Sequence, residues 1–391
     1  MAPISSWSTE LPEELLEIIL RQPTDAVNLY NYRNVCRSWR SVVDKVLASS
    51  PPLLLVYDEK GIDCIWLFNI FTGDSSFCKI PRLPRRIHSW HGWLAMDFTT
   101  SKNHAHDLCL YNPLSRARIG LPTLMFENSP NSRNLKFISS ISNHTNPSSI
   151  ALAILEGQSL VEKLMFWKPG DEEWTPVDTP FDFETPFGFV TDIIGYKCGG
   201  FCAIDYSGNL TQFELSPVPR AKQIQTGKIY DGNHKALCHA YSYLVESLSG
   251  DLLLVNRCFF PHKEFKIYRL DWEKMKWDEM RSLGDAAIFL ARNQSVCIRA
   301  DESTAYSRNC IYFTDDVSLF DDFFNMLRLR DDFGVYHMAN KTIHRFPCLF
   351  QCHTGLRYRW LSYTNFPAIG PDQMELLKSK PSEERSYSLK L

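Results

Sequence analysis

The first 50 residues carry apolar side chains at helical spacing, with polar residues between them. Pro12 suits the first turn of a helix, where its missing N–H is not needed, and Glu13, Glu14 and Glu17 suit the positive N-terminal end. The pattern predicts a helix from Pro12 to Leu20. Its apolar positions span an arc of about 200°, twice the roughly 100° stripe that one core-facing surface requires. This helix therefore has apolar surface for two neighbours.

Two further helices are predicted before residue 50. Pro23 ends the first helix, and Thr24 or Asp25 can cap a short second helix. A third helix is indicated by apolar residues at positions i, i+4, i+7, i+8 and i+11. These residues are Val35, Trp39, Val42, Val43 and Val46. Three helices in about 40 residues lie near the lower size limit for folding alone, so we expect them to need a partner. The alternative is a helical cap on the following domain.

From Leu53 onward the pattern changes to short runs of aliphatic, β-branched and aromatic residues, separated by Gly, Pro, Asn and Asp about every ten residues. Pro51 and Pro52 separate the two regions, because two prolines cannot continue a helix. Several runs, such as LLLVY from Leu53 and DLLLV from Asp251, are apolar at consecutive positions. This indicates strands that are covered on both faces, as in stacked sheets.

A recurring unit in this region consists of an apolar strand, a short polar turn and a second strand. Six such units begin at Leu67, Leu110, Phe166, Ile204, Ile267 and Val335. Each is interpreted as an outer hairpin, and roughly 50 residues per unit is the size of a four-stranded, kelch-like propeller blade. Their uneven spacing leaves the blade number between six and seven, and a pair of β-sandwiches is the alternative.

The predicted fold class is therefore α plus all-β, in three parts. A three-helix domain is expected over residues 1–50 and a β-propeller of six or seven blades over residues 51–350. Residues 351–391 are expected to form a C-terminal segment with a polar tail.

Composition and charge narrow the possible functions. The chain has 391 residues, 44% hydrophobic, and a net charge of −3, which argues against a nucleic-acid-binding surface. The N-terminus lacks a basic region followed by an apolar one, and no run of 18 or more apolar residues occurs. We expect an intracellular protein, in the nucleus, the cytoplasm or both, that binds neither nucleic acid nor membrane.

The residue patterns that carry enzyme or metal chemistry are weak. Four groups of residues come closest to the sequence spacing of metal ligands: His88 with His91, His104 with His106, Cys198 with Cys202, and Cys348 with Cys352 and His353. A zinc signature needs two matched pairs, and no GxSxG, HExxH or Gly-rich phosphate loop is present. We expect no catalytic residue, cofactor or metal. The aspartate pairs between residues 315 and 332 are interpreted as a solvated acidic loop. The apolar residues between 319 and 327 could form a short amphipathic helix that docks on the propeller, or a contact for the substrate.

Three features form one motif: Leu11-Pro12, the Leu/Ile run that follows, and Val35-Cys36 before Trp39-Arg40. By this motif residues 7–47 resemble the F-box. F-box helices insert into the Skp adaptor subunit of cullin-type ubiquitin ligases, so the resemblance implies binding to a Skp-type adaptor and, through it, to a cullin. By this likeness the candidate adaptor-binding residues are Leu11, Pro12, Leu15, Ile19, Val35, Cys36 and Trp39. The sequence does not separate residues that face the partner from residues that face the F-box core.

The remainder is similar to the large plant F-box family with a C-terminal, kelch-like β-propeller of uncharacterised type. The segments that carry the likeness include FWKPGDEEWTPV from Phe166, KIYRLDWEKMKWDEM from Lys266 and FGVYHMANKTIHRF from Phe333, whereas Ser216 to Lys235 departs as a polar insertion. The resemblance implies a substrate receptor of a Skp–cullin–F-box ligase with an unknown protein substrate. One alternative is a propeller that binds a small molecule or acts as an enzyme, with the F-box controlling its own turnover. Another is a scaffold outside the ligase.

Overall fold

The structure is a computed structural model with three helices followed by a ring of β-sheets. It describes residues 11–22, 26–58, 64–80, 84, 86–90, 92–98, 105–125, 136–141, 150–158, 161–168, 170–177, 190–196, 200–205, 208–214, 220–226, 240–258, 263–291, 295–302, 304–314, 333–346 and 356–361. The helices are α1 (Glu13–Leu20), α2 (Ala26–Asn31) and α3 (Arg37–Ser49), with a 3-10 turn at Tyr32–Asn34. Three predicted helices are thus confirmed. Val35 lies before α3, although the sequence pattern assigns it to that helix, and Thr24 and Asp25 lie outside the described residues.

Five antiparallel sheets have the four-strand form of a propeller blade. Blade I consists of β27 (Leu356–Leu361), β1 (Leu53–Asp58), β2 (Cys64–Phe68) and β3 (Ser75–Lys79), in that order across the sheet. Blade II consists of β4 (Arg86–Trp90), β5 (Trp93–Asp97), β7 (Leu108–Tyr111) and β8 (Arg118–Gly120). Blade III consists of β10 (Lys136–Ile141), β11 (Ile150–Gln158), β12 (Val161–Trp167) and β13 (Thr175–Val177). Blade IV consists of β14 (Val190–Tyr196), β15 (Gly200–Asp205), β16 (Leu210–Glu214) and β17 (Arg220–Ile224). Blade V consists of β18 (Ala240–Glu246), β19 (Leu252–Cys258), β20 (Glu264–Asp271) and β21 (Lys276–Met280).

The remaining large sheet, called sheet VI, departs from the blade form. Its five strands, in order across the sheet, are β23 (Val296–Arg299), β22 (Ala286–Leu290), β24 (Cys310–Phe313), β25 (Gly334–His337) and β26 (Thr342–Arg345). Strands β22 and β24 pair in parallel, with Ile288 opposite Ile311. A separate small sheet pairs β6 (Ala105–His106) with β9 (Leu124–Met125). The prediction of six or seven blades is therefore wrong: the propeller has five regular blades, and sheet VI lies between blade V and blade I.

Hairpin signals locate strands in this chain, but they do not define the form of a sheet. The units at Leu67, Leu110, Phe166 and Ile267 form the outer hairpins of blades I, II, III and V. The unit at Ile204 instead joins the two middle strands of blade IV. The outer strand of that blade, β17, lies within the stretch that the sequence presents as a polar insertion, because four of its five side chains are exposed or only partly buried. The sixth unit lies in sheet VI, whose parallel pair leaves no hairpin signal.

Strands with consecutive apolar residues are covered on both faces, as predicted. In β19, Leu253 and Val255 pack in the cluster between blade V and sheet VI. Leu252 and Leu254 point the other way and pack between blades IV and V. Because both faces of the strand are buried, no alternation of polar and apolar residues is needed.

The two ends of the propeller meet in blade I. Strand β27 pairs antiparallel with β1 over six residue pairs, from Leu53 opposite Leu361 to Asp58 opposite Leu356. The sequence assigns residues 351–391 to a segment outside the propeller, but β27 places residues 356–361 inside it. Residues 362–391 lie outside the described residues.

One apolar cluster joins the helices to the propeller. Leu16, Leu20 and Leu47 from the helices are buried in the same cluster as Leu53 and Leu67 of blade I. Helix α3 ends at Ser49 and β1 begins at Leu53, so only three residues connect them. The helices are therefore packed directly on blade I, which fixes the position of the surface described next.

Candidate docking surface on the helical domain

Helix α1 begins without a side-chain cap, and at its end the side-chain amide of Gln22 donates a hydrogen bond to the carbonyl of Ile18. Pro12 is the N-cap residue, in an extended conformation, and its carbonyl accepts the first helical hydrogen bond from the N–H of Leu16 at 3.0 Å. Glu13 and Glu14 lie in the first turn, where the positive end of the helix dipole favours carboxylates. At the other end, the N–H of Arg21 bonds to the carbonyl of Glu17. The helix is short because a proline follows Gln22.

The apolar residues of α1 divide between two faces. Leu16 and Leu20 are 1% and 2% exposed and pack in the core. Leu15, Ile18 and Ile19 are 50%, 58% and 51% exposed. Residues at spacings of three and four share one side of a helix, so these three form a single outward apolar face. The two-sided character predicted from the sequence is thus present in the structure.

A second group of exposed apolar side chains precedes α3. Tyr32 is 39% exposed and Val35 is 49% exposed. The Tyr32 ring meets the edge of the Trp39 indole, with ring centroids 5.8 Å apart. Of nine large apolar side chains that are exposed among the described residues, five lie between positions 15 and 35. Exposed apolar surface is therefore concentrated on the helical domain, which indicates an interaction surface.

The structure separates the seven candidate residues into groups. Leu15, Ile19 and Val35 are exposed, as is Pro12 at the start of α1. Leu11 and Trp39 are partly buried and pack against the core cluster. Cys36 is half-buried and forms the N-cap of α3.

Two residues of the outward surface are absent from the motif-based set. Ile18 is the most exposed apolar residue of α1, and Tyr32 lies beside Trp39. Ile18 could have been found from its spacing, since it lies at i+3 from Leu15 on the same side of the helix. Tyr32 carries no such signal, because the 3-10 turn that contains it interrupts the helical pattern.

The charged residues of the helical domain pair with one another. Glu13 of α1 accepts a 2.8 Å ion pair from Lys45 of α3, and the hydrogen bond from Lys45 to this carboxylate raises the pKa of the lysine. Arg33 pairs with Asp44 at 2.8 Å and lies 4.9 Å from the centre of the Tyr30 ring. The exposed pair of Glu13 and Lys45 adds little stability. In the second pair the Arg33 side chain is largely buried, and Asp44 is partly exposed. Both pairs link α3 to an earlier segment of the helical domain.

The residues with metal-ligand spacing form no site that the structure describes. Within the described ranges, no group of three or more His, Cys, Asp or Glu side chains is placed to hold a metal ion. Cys202 is buried in the apolar cluster between blades IV and V. The others lie outside the described residues or have no described side chain: His88, His91, His104, His106, Cys198, Cys348, Cys352 and His353. The acidic segment and the helix expected at residues 319–327 also lie outside the described residues.

No helix in the part of the chain that the structure describes is long and apolar enough to span a membrane.

A short helical domain with an outward apolar face, packed on a propeller, is the arrangement expected of an F-box protein with a C-terminal β-propeller. The F-box domain profile matches residues 8–47, and the KIB1-4 beta-propeller profile matches residues 67–337. The chain belongs to the KIB1-4 beta-propeller family and carries an F-box domain in front of the propeller.

Its relatives are plant F-box proteins. The F-box protein At2g26160 of Arabidopsis thaliana is 25% identical over 340 residues, which cover 80% of this chain and 96% of the relative. The candidate F-box protein At5g55150 of the same plant is 28% identical over 342 residues, covering 80% of this chain and 86% of the relative.

Proposed function

We propose that this protein is the substrate-recognition subunit of a Skp–cullin–F-box ubiquitin ligase. Its F-box binds a Skp-type adaptor, and its propeller presents a protein target for ubiquitination and proteasomal degradation, in the nucleus or the cytoplasm. The observation that carries the proposal is the outward face of α1. Leu15, Ile18 and Ile19 remain about half exposed although two other residues of the helix already fill the core.

This role requires no catalytic residue in the chain. The ligase accelerates ubiquitin transfer by holding the target close to the charged ubiquitin carrier, and proximity alone can lower the barrier by several kcal/mol, roughly 7–11 in favourable cases. The direct packing of the helices on blade I suits this role, because it fixes the propeller relative to the bound adaptor.

Among the seven candidate residues, we assign direct adaptor contact to Pro12, Leu15, Ile19 and Val35, and we add Ile18 and Tyr32. Leu11 and Trp39 contribute to the core of the F-box, so their substitution would alter folding as well as binding. A test of docking therefore changes the outward residues only.

The test measures the affinity of the purified full-length chain for a Skp-type adaptor by calorimetry. Leu15→Ala, Ile18→Ala and Ile19→Ala together should weaken binding by at least about 100-fold, since each buried apolar anchor contributes on the order of 1–2 kcal/mol. The control is Leu248→Ala, which truncates an exposed leucine in the turn between β18 and β19. It should bind like the unaltered chain. Equal affinity of the triple variant and the unaltered chain would rule the docking face out.

Co-purification separates the ligase subunit from a scaffold outside the ligase. The tagged full-length chain should bring down a cullin together with the adaptor, and the triple variant should bring down neither. Adaptor without cullin would contradict the proposed ligase role.

A further inference from the structure

The outer hairpin of blade I, formed by β2 and β3, exposes two aromatic rings. Phe77 on β3 is 67% exposed, and Trp66, directly opposite on β2, is 37% exposed. Their ring centroids are 5.8 Å apart, so the two rings form one patch. Phe77 has the largest exposed fraction among the exposed large apolar residues that the structure describes.

The other sheets of the ring do not share this feature. Their outer strands expose polar or charged side chains, or residues too small to form a patch. The exposed outer-strand residues are Arg118 and Gly120 on β8, Thr175 and Pro176 on β13, Arg220, Lys222 and Gln223 on β17, Lys276 and Glu279 on β21, and Thr342, His344 and Arg345 on β26. A charged residue on an edge strand opposes pairing with a foreign strand unless that strand carries the opposite charge. The outer strand of blade I carries one exposed charge, Lys79, and differs from the other outer strands in the exposed ring of Phe77 beside it.

The edge itself is available for pairing. Strand β3 ends its sheet and pairs only with β2 among the described strands. An extended peptide can add to such an edge through backbone hydrogen bonds, with side chains two residues apart recognised on one face.

A lysine supplies the charge on this face. Lys79 lies two residues after Phe77, so both side chains point to the same side of the strand. Lys79 is exposed at the end of β3. A peptide with a carboxylate opposite Lys79 and an apolar side chain opposite Phe77 would complement both.

The opposite face of the same strands is occupied. Leu67 and Cys78 pack in the cluster shared with the helices, and Leu67 and Ser76 line a cleft of about 210 Å³ between the F-box and blade I. The aromatic patch is thus the only face of this hairpin left for a further partner in the described structure.

We propose that β3 binds an extended segment of the substrate by strand addition. In this segment an acidic residue lies opposite Lys79, and an apolar or aromatic residue two positions later lies opposite Phe77. This order assumes antiparallel pairing, as in every pair of blades I to V, in which the residue opposite Lys79 precedes the residue opposite Phe77. The inference rests on the proposed function only in assigning the segment to a substrate.

The test uses the full-length chain and a displayed library of random nine-residue peptides. The enriched peptides should share an acidic residue two positions before an apolar one. Phe77→Ser should lower their affinity by about tenfold or more, as expected for a central apolar anchor. Lys79→Glu should reverse the charge preference, so that Lys or Arg replaces the acidic residue. A purely structural role of Lys79 would produce no such reversal.

Leu248→Ser is the matched control, since it removes an exposed leucine from the turn between β18 and β19 and should leave the enrichment unchanged. All three variants should keep the Tm of the unaltered chain because each site is exposed. The proposal would be overturned if the Phe77 and Lys79 variants enriched the same peptides as the unaltered chain. It would also be overturned if no family of related peptides were enriched. If Phe77→Ser lowered the affinity for the adaptor, the aromatic patch would belong to the adaptor interface, and the proposal would be overturned as well. Adaptor affinity of the α1 variants is measured separately, so failure of docking and failure of peptide binding are distinguishable.

Discussion

At the scale of single residues, neighbours in sequence have opposite roles. Leu15 is half exposed and Leu16 is buried, although both belong to the same apolar run. Successive residues of a helix point about 100° apart, and on α1 the core covers the side of Leu16 while Leu15 points outward. Substitutions on α1 should therefore divide cleanly into those that affect folding and those that affect binding.

This division can be measured by urea unfolding of single variants. Leu16→Ala should lower the free energy of unfolding by about 2–4 kcal/mol, because it removes a fully buried side chain and leaves a cavity. Leu15→Ala should change it by less than about 0.5 kcal/mol, since the residue is half exposed. Equal destabilisation by the two variants would contradict the assignment of faces.

At the scale of elements, turns and strand pairs depend on particular backbone positions. Gly334 opens β25 and lies opposite Arg345 of β26. A Cβ atom at Gly334 would meet the carbonyl oxygen of His344, which belongs to the backbone and cannot rotate away. Gly120, at the end of β8, has nothing within 4 Å of the same position.

The two glycines form a matched pair for mutagenesis. Gly334→Ala should destabilise the protein by about 1–3 kcal/mol, because β25 and β26 must separate to admit the methyl group. Gly120→Ala should be close to neutral, since the added atom meets no neighbour. Thermal unfolding compares them, and a similar Tm for both would show that sheet VI accommodates the methyl group.

The turn between β20 and β21 should make the stability of the protein depend on pH. Asp271 accepts a 2.7 Å hydrogen bond from Lys274 and backbone N–H bonds from Glu273 and Lys274, which lower the pKa of its carboxyl group to about 2. A lowered pKa means that the stabilisation is present above the ordinary pKa of 3.8 and is lost as the pH falls toward 2.

NMR titration of carboxyl carbons checks this value. At about pH 3 the Asp271 carboxyl should remain largely ionised, whereas in Lys274→Ala it should be partly protonated, because the largest cause of the shift is removed. Glu273→Ala is the control, since it removes a neighbouring carboxylate and keeps the Lys274 contact. Protonation of Asp271 at its ordinary pKa in the unaltered chain would contradict the turn geometry.

At the scale of the whole molecule, the F-box and the propeller share one core. Strand β1 follows α3 directly, packs beneath the helices and pairs with β27 near the other end of the chain. Closing a ring with a strand from far along the chain costs loop-closure entropy, but it pairs the edge of β1 that β2 leaves open.

Closure by β27 should therefore control the stability of the entire chain. A chain of residues 1–355 lacks this strand and should show a lower Tm and weaker adaptor binding, although its F-box sequence is intact. A chain of residues 1–361 keeps β27 and removes only the residues after it, so it serves as the control. Heat capacity scans should show one transition for the longer chain. Equal Tm values, or separate transitions for F-box and propeller, would contradict a shared core.

The sequence by itself determined the local features of this protein. Helical spacing indicated α1 to α3, and runs of apolar residues bounded by turn residues indicated β1 and β19, because both signals depend on neighbours along the chain. The F-box motif identified Leu15 and Ile19 as candidates for adaptor contact for the same reason.

Only the tertiary structure decided which residues face outward and how the ring closes. The exposure of Ile18 and the burial of Leu16 depend on the apolar cluster that α1 shares with α3 and blade I. The parallel pair of sheet VI and the pairing of β27 with β1 join residues that are distant in sequence, and no local pattern encodes such contacts. The Phe77 and Trp66 patch is likewise visible only once β3 is known to be an outer edge, because a buried strand can have the same sequence.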